Sequence, residues 1–266
     1  MSHPVRIAIN GASGRMGGAL LDLLGADDRF QLVHAVVAPH SALSGTPVFG
    51  ADSSSVRYVA DWASAPAMDV VIDFSTPDGL LATLNFCVAR GVALVSGTTG
   101  VSAVLEEKLT AAGNHIALLR AANFSLAIAV LTRLLRNAAA ALPTWDIEIV
   151  EAHHSRKQDA PSGTALALGR AAAAARETKL ESVATYGRAG KHGARVAGTI
   201  GFASVRGGDI VGEHQAMLIG TGERLELTHR ATDRSIFARG ALQAAFWLSQ
   251  RDAGVWQIDD VVTTTR

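Results

Sequence analysis

The stretch Val5-Arg6-Ile7-Ala8-Ile9-Asn10-Gly11-Ala12-Ser13-Gly14-Arg15-Met16-Gly17 runs from an apolar pattern straight into a glycine turn. Residues 5–9 have the length and branched character of a buried strand, and residues 16–24 carry helical periodicity, so the glycines join a first strand to a first helix. A G-x-x-G-x-x-G run there lets backbone approach a ligand closely and aims the unpaired amides of a helix start at an anion, as the pyrophosphate of a dinucleotide requires. A glycine triplet alone is also an ordinary turn, so its context decides the reading.

Working outward, the apolar pattern returns at 31–37, 69–74, 92–95 and 116–119, with helix starts at Thr76-Pro77 and Ser102 between repeats. Short connections between alternating strands and helices predict a Rossmann-like, doubly wound parallel sheet. After Ala121-Ala122-Asn123-Phe124-Ser125 a long helix runs to about residue 141, and from Trp145 the pattern changes. Asp146-Ile147-Glu148-Ile149-Val150 alternates, and 217–219 with 225–228 reads as a hairpin around Gly220-Thr221-Gly222, which predicts a smaller α+β domain with an antiparallel or mixed sheet covered on one face. The expected domains are 1–125, completed by 235–266 through a returning helix at 235–250, and 126–234. Hinges are expected near 124–126 and 231–235. The glycine-rich piece 187–212 exceeds an ordinary connection and is read as a mobile loop.

Composition narrows the class. The chain has 266 residues, 48% of them hydrophobic, enough to bury two modest cores. Lys+Arg and Asp+Glu are both 24, so no net field favours nucleic acid or an acidic membrane, and neither is expected as a partner. The single cysteine, Cys87, cannot form an internal disulfide and lies in an apolar helical pattern, where it reads as core. No apolar run reaches membrane-spanning length and the start carries no signal-peptide pattern, so a cytoplasmic location is expected.

The stretch Glu151-Ala152-His153-His154-Ser155-Arg156-Lys157-Gln158-Asp159-Ala160-Pro161-Ser162-Gly163-Thr164-Ala165 sets four basic side chains just ahead of a small-residue turn that opens an alanine-rich helix. A helix start at Ser162-Gly163-Thr164 suits a carboxylate or phosphate, and His153, His154, Arg156 and Lys157 supply charge and transferable protons beside it. The plainer reading is a strand end followed by an N-cap. At the end of the second strand, Val36-Val37-Ala38-Pro39-His40 offers no carboxylate for the adenosine ribose. Discrimination against a 2'-phosphate is therefore absent, and Arg15 with His40 are candidates to bind one, so the expected cofactor is NADPH or NADH.

Together these segments resemble the 4-hydroxy-tetrahydrodipicolinate reductase (dihydrodipicolinate reductase) family over nearly the whole chain. The resemblance rests on the Gly11 loop, Asp73-Phe74-Ser75-Thr76-Pro77, Gly97-Thr98-Thr99-Gly100, Ala121-Ala122-Asn123-Phe124-Ser125, the 151–165 stretch, and Gly198-Thr199-Ile200-Gly201-Phe202 leading to Arg206 and Gly208-Asp209-Ile210-Val211-Gly212-Glu213-His214. It implies an NAD(P)H-dependent oxidoreductase of bacterial lysine and diaminopimelate biosynthesis. Such an enzyme reduces 4-hydroxy-tetrahydrodipicolinate, a small cyclic dicarboxylate, to tetrahydrodipicolinate with loss of water, as a homotetramer assembled through the second domain. Carried onto this chain, it makes His153 the acid/base and Lys157 the proton donor, with His154, Gly163 and Thr164 as substrate contacts. Cofactor contacts fall on Gly11, Ala12, Ser13, Gly14, Arg15, Met16, Gly97, Thr98, Thr99, Ala121, Ala122, Asn123 and Phe124. Two departures stand out: Ser155-Arg156 replaces the family's Arg-His before the lysine, and Val37-Ala38 replaces its acidic and basic ribose contacts.

Three other readings compete. A metal hydrolase using His153, His154, Asp159, Glu213 and His214 is disfavoured because neighbours on a strand point to opposite faces, so no metal is expected. A nucleotide-sensing protein without turnover is opposed by the presence of both His153 and Lys157. An oxidoreductase acting on an amino-acid semialdehyde shares the cofactor domain but does not account for the 151–165 stretch.

Overall fold

In the computed structural model, which describes residues 3–49, 56–191 and 193–263, β1 (Val5–Asn10) lies inside a seven-stranded sheet. Its partners are β2 (Phe30–Val36), β3 (Tyr58–Val59), β4 (Val70–Asp73), β5 (Ala93–Ser96), β6 (Ala117–Arg120) and β12 (Gly254–Trp256), in the order β12-β6-β5-β4-β1-β2-β3. Every pairing is parallel. The chain winds from β1 outward through β2, then restarts at β4 on the other side of β1, which makes the β1/β4 carboxyl ends the topological switch point. All four residues of β4 and of β5 are buried, as expected of parallel strands covered on both faces.

The helices that cover this sheet stop and start where local chemistry dictates. In α2 (Pro77–Arg90), Thr76 caps the Gly79 amide, Pro77 opens the first turn, and Gly91 ends the helix at φ 64°. In α3 (Ala103–Ala112) Ser102 caps the Leu105 amide. Leu80, Leu84 and Cys87 of α2 and Leu105 and Leu109 of α3 pack on Val71, Leu94 and Leu118 of the sheet. α1 (Arg15–Leu24) packs against α7 (Ser235–Leu248), whose Gly240 lies so close to the Phe124 carbonyl that any side chain would collide with it. The returning helix ends at Leu248 rather than 250, and the sequence beyond it adds β12 and α8 (Ile258–Thr263).

The chain divides into two compact units, Met1–Ser125 with Ser235–Arg266, and Leu126–Arg234. The second unit has a five-stranded sheet of β7 (Asp146–His153), β8 (Ala184–Tyr186), β9 (Ile200–Arg206), β10 (Gly212–Ile219) and β11 (Arg224–Ala231), in the order β11-β10-β7-β9-β8. β10 is antiparallel to β7 and β11, while β9 is parallel to β7 and β8, so the sheet is mixed. Ile147, Ile149, Ala216, Leu218, Ile200 and Phe202 share its covered face and pack on α4 (Leu126–Ala141) and α5 (Gly163–Ala175), with α6 (Leu180–Val183) beside them.

The reading of 187–212 as one loop is corrected here. β9 runs through it, seven residues long, with Ile200 and Phe202 in the core. Its strand signal is hidden because Gly201 takes an outward position, where any side chain would strike the Glu148 carboxylate, and Ala203 to Val205 are exposed. His192, also in that segment, lies outside the described residues. Among the described residues no helix is long and apolar enough to cross a membrane.

Candidate active site

At the switch point the glycine loop is built for close approach. Gly11 has φ +80° and a side chain there would meet the Phe74 carbonyl, while one at Gly17 would run into Gly11 and Ala12. The Gly11 and Ala12 amides donate to the Val36 carbonyl at 3.0 and 2.9 Å, tying the loop to β2. α1 opens at Gly14 with no side-chain cap, unlike α2 and α3, so its first-turn amides face outward for an external acceptor. Gly97, Thr98 and Thr99 follow β5, and Ala121, Ala122, Asn123 and Phe124 follow β6, at the same carboxyl edge of the sheet. Thr98, Thr99, Gly100, Arg120, Ala121 and Ala122 line a pocket of about 390 Å³ there. The Phe124 ring is buried edge-on to Phe74 at 5.3 Å and the Thr98 hydroxyl points to Asp73, so these two residues offer a ligand backbone rather than side chain.

The adenosine-ribose position needs a correction of detail. Val37 is 3% exposed, with its amide bonded to the Val59 carbonyl, so its side chain is core and the first solvent-facing position after β2 is Ala38.

In the second unit the covered face of β7 changes from apolar to polar toward its end: Ile147 and Ile149 are followed, in the same inward register, by Glu151 and His153. Glu151 is 1% exposed and is the centre of the site. It takes a bidentate pair from Arg206 on β9 at 2.8 and 2.7 Å, the Ser162 amide at 3.2 Å, and His153 Nδ1 at 2.5 Å. Burial alone would raise this carboxyl, but hydrogen bonds from Arg206, Ser204 and His153 hold it down at about 2. Because Glu151 is ionised, Nδ1 must carry the proton, which leaves the lone pair of a neutral His153 on Nε2, beside Gly212.

Lys157 is held by Asp159 at 2.7 and 2.9 Å, and Arg206 also donates to the Asp159 carbonyl at 2.7 Å. The network therefore runs from His153 through Glu151 and Arg206 to the loop that carries Lys157. Ser162 caps α5 by accepting the Ala165 amide, and open space surrounds Gly163 where a Cβ would stand. Among the described residues His154 Nδ1 is buried without a hydrogen-bond partner. Burial lowers the His154 pKa, and the charges of Arg234, Arg156, His153 and Lys157 lower it further. His153, His154, Lys157, Gly163 and Thr164 thus belong to one neighbourhood of strand, loop and helix start. Sequence reading missed Glu151 as the group that orients His153, and Arg234 as part of the positive field. Arg234 is 80 residues from His154 and carries no local signal. Among the described residues no group of three His, Cys, Asp or Glu side chains forms a metal site.

Ser162 Oγ also meets His214 Nε2 at 3.0 Å. Burial and the neighbouring His153 push His214 down to about 4. A histidine whose folded pKa lies below its unfolded value binds fewer protons when folded, so its stabilising contribution is complete above pH 6.5 and is lost as pH falls through 6.5 to 4. The loss amounts to at most about 3 kcal/mol, and the melting midpoint is expected to fall by roughly 5–10 °C over that window. His214→Gln, which keeps a partner for Ser162 without titrating, should flatten the slope. Melting curves at pH 7 and 4.5 check this, and identical slopes would reject it.

Residues 5–124 match the family model "Dihydrodipicolinate reductase, N-terminus", and residues 127–262 match "Dihydrodipicolinate reductase, C-terminus". A 4-hydroxy-tetrahydrodipicolinate reductase of Xanthomonas campestris pv. campestris is 47% identical over 264 residues, covering 98% of this chain and 99% of the relative. One from Nitrosomonas europaea is 44% identical over 268 residues, covering 97% and 98%. Among solved structures, the dipicolinate-bound dihydrodipicolinate reductase of Paenisporosarcina sp. TG-14 has the same fold, with a TM-score of 0.78 at 24% identity over 96% of this chain and 97% of that one. Two family models that together span nearly the whole chain, with full-length relatives well above 30% identity, show that this chain belongs to the dihydrodipicolinate reductase family.

Proposed function

We propose that the chain reduces 4-hydroxy-tetrahydrodipicolinate to tetrahydrodipicolinate, with loss of water, in bacterial lysine and diaminopimelate biosynthesis, using NADPH or NADH. The observation that carries this reading is the Glu151-held His153, with Lys157 on the following loop and an open helix start at Gly163, in a chain of this family. The uncapped start of α1 and the Gly11 loop fit a dinucleotide pyrophosphate, with the backbone of Gly97–Thr99 and Ala121–Phe124 at the same strand ends for the rest of the cofactor. When bound, the reduced nicotinamide supplies hydride.

The protein's own residues do the rest. One substrate carboxylate is received by the Gly163 and Thr164 amides at the positive end of α5, and the other by His154 and the charges of Arg156 and Arg234. Lys157, drawn from Asp159 by the second carboxylate, donates the proton that balances the hydride. His153 Nε2 exchanges the proton that leaves with water, and Glu151 stabilises the imidazolium that results. The reading includes a homotetramer: Val150, Ala152, Ala203, Val205 and Met217 lie on the sheet face opposite α4 and α5, which among the described residues of the second unit no helix covers, and Val205 is 49% exposed. It also places the enzyme in the cytoplasm.

The test is oxidation of NADPH and of NADH with enzymatically generated hydroxytetrahydrodipicolinate. Substrate-dependent oxidation is expected, with kcat/KM favouring NADPH or discriminating weakly, because Ala38 presents no carboxylate to a 2'-phosphate and Arg15 stands exposed at the helix start. Ala38→Glu should shift the NADH/NADPH ratio toward NADH by roughly tenfold or more, the worth of one charge-assisted bond pair. A wild type strongly favouring NADH would sink the specificity argument; tight cofactor binding without turnover would sink the enzymatic one.

A further inference from the structure

Asp73 ends β4 at the switch point with a carboxylate that is 0% exposed, and among the described residues no Lys, Arg or His pairs with it. Its charge is met by neutral donors only. Oδ1 accepts from Asn10 Nδ2 at 2.8 Å and Ser75 Oγ at 2.6 Å, and Oδ2 accepts from Ser96 Oγ at 2.9 Å and Thr98 Oγ1 at 2.7 Å. Four bonds fill the acceptor capacity of an ionised carboxylate.

The four donors lie at the carboxyl ends of β1, β4 and β5, and three of them fix a loop amide in turn. Asn10 Oδ1 accepts the Gly11 amide at 3.1 Å, Ser96 Oγ accepts the Thr98 amide at 3.2 Å, and Thr98 Oγ1 accepts the Ser75 amide at 3.1 Å. One buried carboxylate therefore orders the groups that set the backbone of the loops after β1, β4 and β5. Burial raises the Asp73 pKa and the four hydrogen bonds recover only part of that cost, so the ionised group is a burden on the fold. A burden of this kind, at the edge where the sheet receives its ligand, is accounted for by a role in ligand binding.

We propose that Asp73 is a positioning residue for the dinucleotide: its ionised carboxylate holds the Gly11, Ser75 and Gly97–Thr99 loops in the arrangement that receives the cofactor. The inference rests on the cofactor reading above and adds a residue that does not itself touch the nucleotide. Asp73→Asn keeps the volume but removes the charge and puts an NH2 where an oxygen accepted two bonds, so Ser96 and Thr98 must turn their hydroxyl protons away to accept it, or Asn10 Nδ2 is left facing a second donor, and the orientation these groups impose on the loops is lost.

The experiment is direct titration of the purified protein with NADPH and with NADH, followed by cofactor fluorescence, alongside steady-state kinetics and a melting curve. In folded Asp73→Asn the cofactor Kd and KM are expected to rise at least tenfold, about 1.4 kcal/mol, with kcat at saturating cofactor within about threefold of wild type. A general loss of packing would not produce that split. Ser96→Ala removes a single donor, should raise Kd by a smaller factor of about three, and decides the question if Asp73→Asn does not fold. Unchanged cofactor Kd in the deciding variant, or a loss confined to kcat, overturns the proposal. A wild type that binds neither nucleotide would overturn the cofactor reading instead.

Discussion

Lys157→Met is expected to lower kcat by about two orders of magnitude or more, the usual contribution of a general acid, while cofactor Kd stays within about threefold of wild type. Lys157 lies in the second unit, within the loop between β7 and α5, and its ammonium is partnered by the exposed carboxylate of Asp159. Methionine matches the length of the stem and removes the charge and the proton. The Asp159 carboxylate is 61% exposed, so losing its partner there leaves no buried charge and should barely change stability. His153→Gln is expected to fall into the same range, since glutamine can occupy the site beside Glu151 but cannot exchange a proton. His154→Gln should act on substrate KM, because the positive field of Arg234, Arg156 and Lys157 around it describes an anion-binding position. Cofactor binding lost in parallel with kcat in the Lys157 variant would show damage to the fold and reject the assigned role.

The parts of this molecule that sequence reading finds are those whose physics is local. The Gly11 loop is readable because close backbone approach demands glycine at Gly11 and Gly17, and the helix starts at Thr76, Ser102 and Ser162 are readable because each caps an amide three residues on. The 151–165 stretch is legible for the same reason: strand end, basic loop and helix start are contiguous. β9 was missed because its outward positions are small or exposed and only Ile200 and Phe202 carry the inward signal. β3 and β12, two and three residues long, are edge strands held by single neighbours, with no period of their own.

The site has one signal that could have been read and was not. In β7 the inward register Ile147, Ile149, Glu151, His153 puts a carboxylate where the pattern demands an apolar side chain, and such a residue must have buried partners. Asp73, closing the apolar run Val70-Val71-Ile72, carries the same signal. What no local pattern supplies is the identity of the partners. Arg206 reaches Glu151 from 55 residues away and His214 reaches Ser162 from 52, through sheet pairings that only the fold creates.

Glu151→Gln should therefore be nearly as damaging to turnover as removal of His153. The ionised carboxylate accepts from Nδ1 and so selects the tautomer whose Nε2 is free to take a proton. A glutamine can either accept from Nδ1–H or donate to a bare Nδ1, and in the second arrangement Nε2 already carries its proton and cannot act as a base. Losing the tautomer control of a carboxylate–histidine pair lowers kcat by on the order of 10²–10⁴. The change also leaves Arg206 with a neutral partner, and breaking a buried pair costs about 3–5 kcal/mol, so the melting point should drop at pH 7. Acid separates the two effects. The Glu151 carboxyl has a folded pKa of about 2, below its ordinary 4.5, so its stabilisation is complete above pH 4.5 and is lost as pH falls from 4.5 toward 2, roughly 3 kcal/mol in all. The stability gap between wild type and Glu151→Gln should narrow over that range, while the deficit in kcat, measured at neutral pH with saturating cofactor, persists in whatever fraction is folded. Glu151→Asp retains the charge on a shorter stem and should recover part of both. A Glu151→Gln enzyme with kcat within about threefold of wild type would show that His153 keeps its productive tautomer without the carboxylate, and that Glu151 serves only to anchor Arg206 and the start of α5.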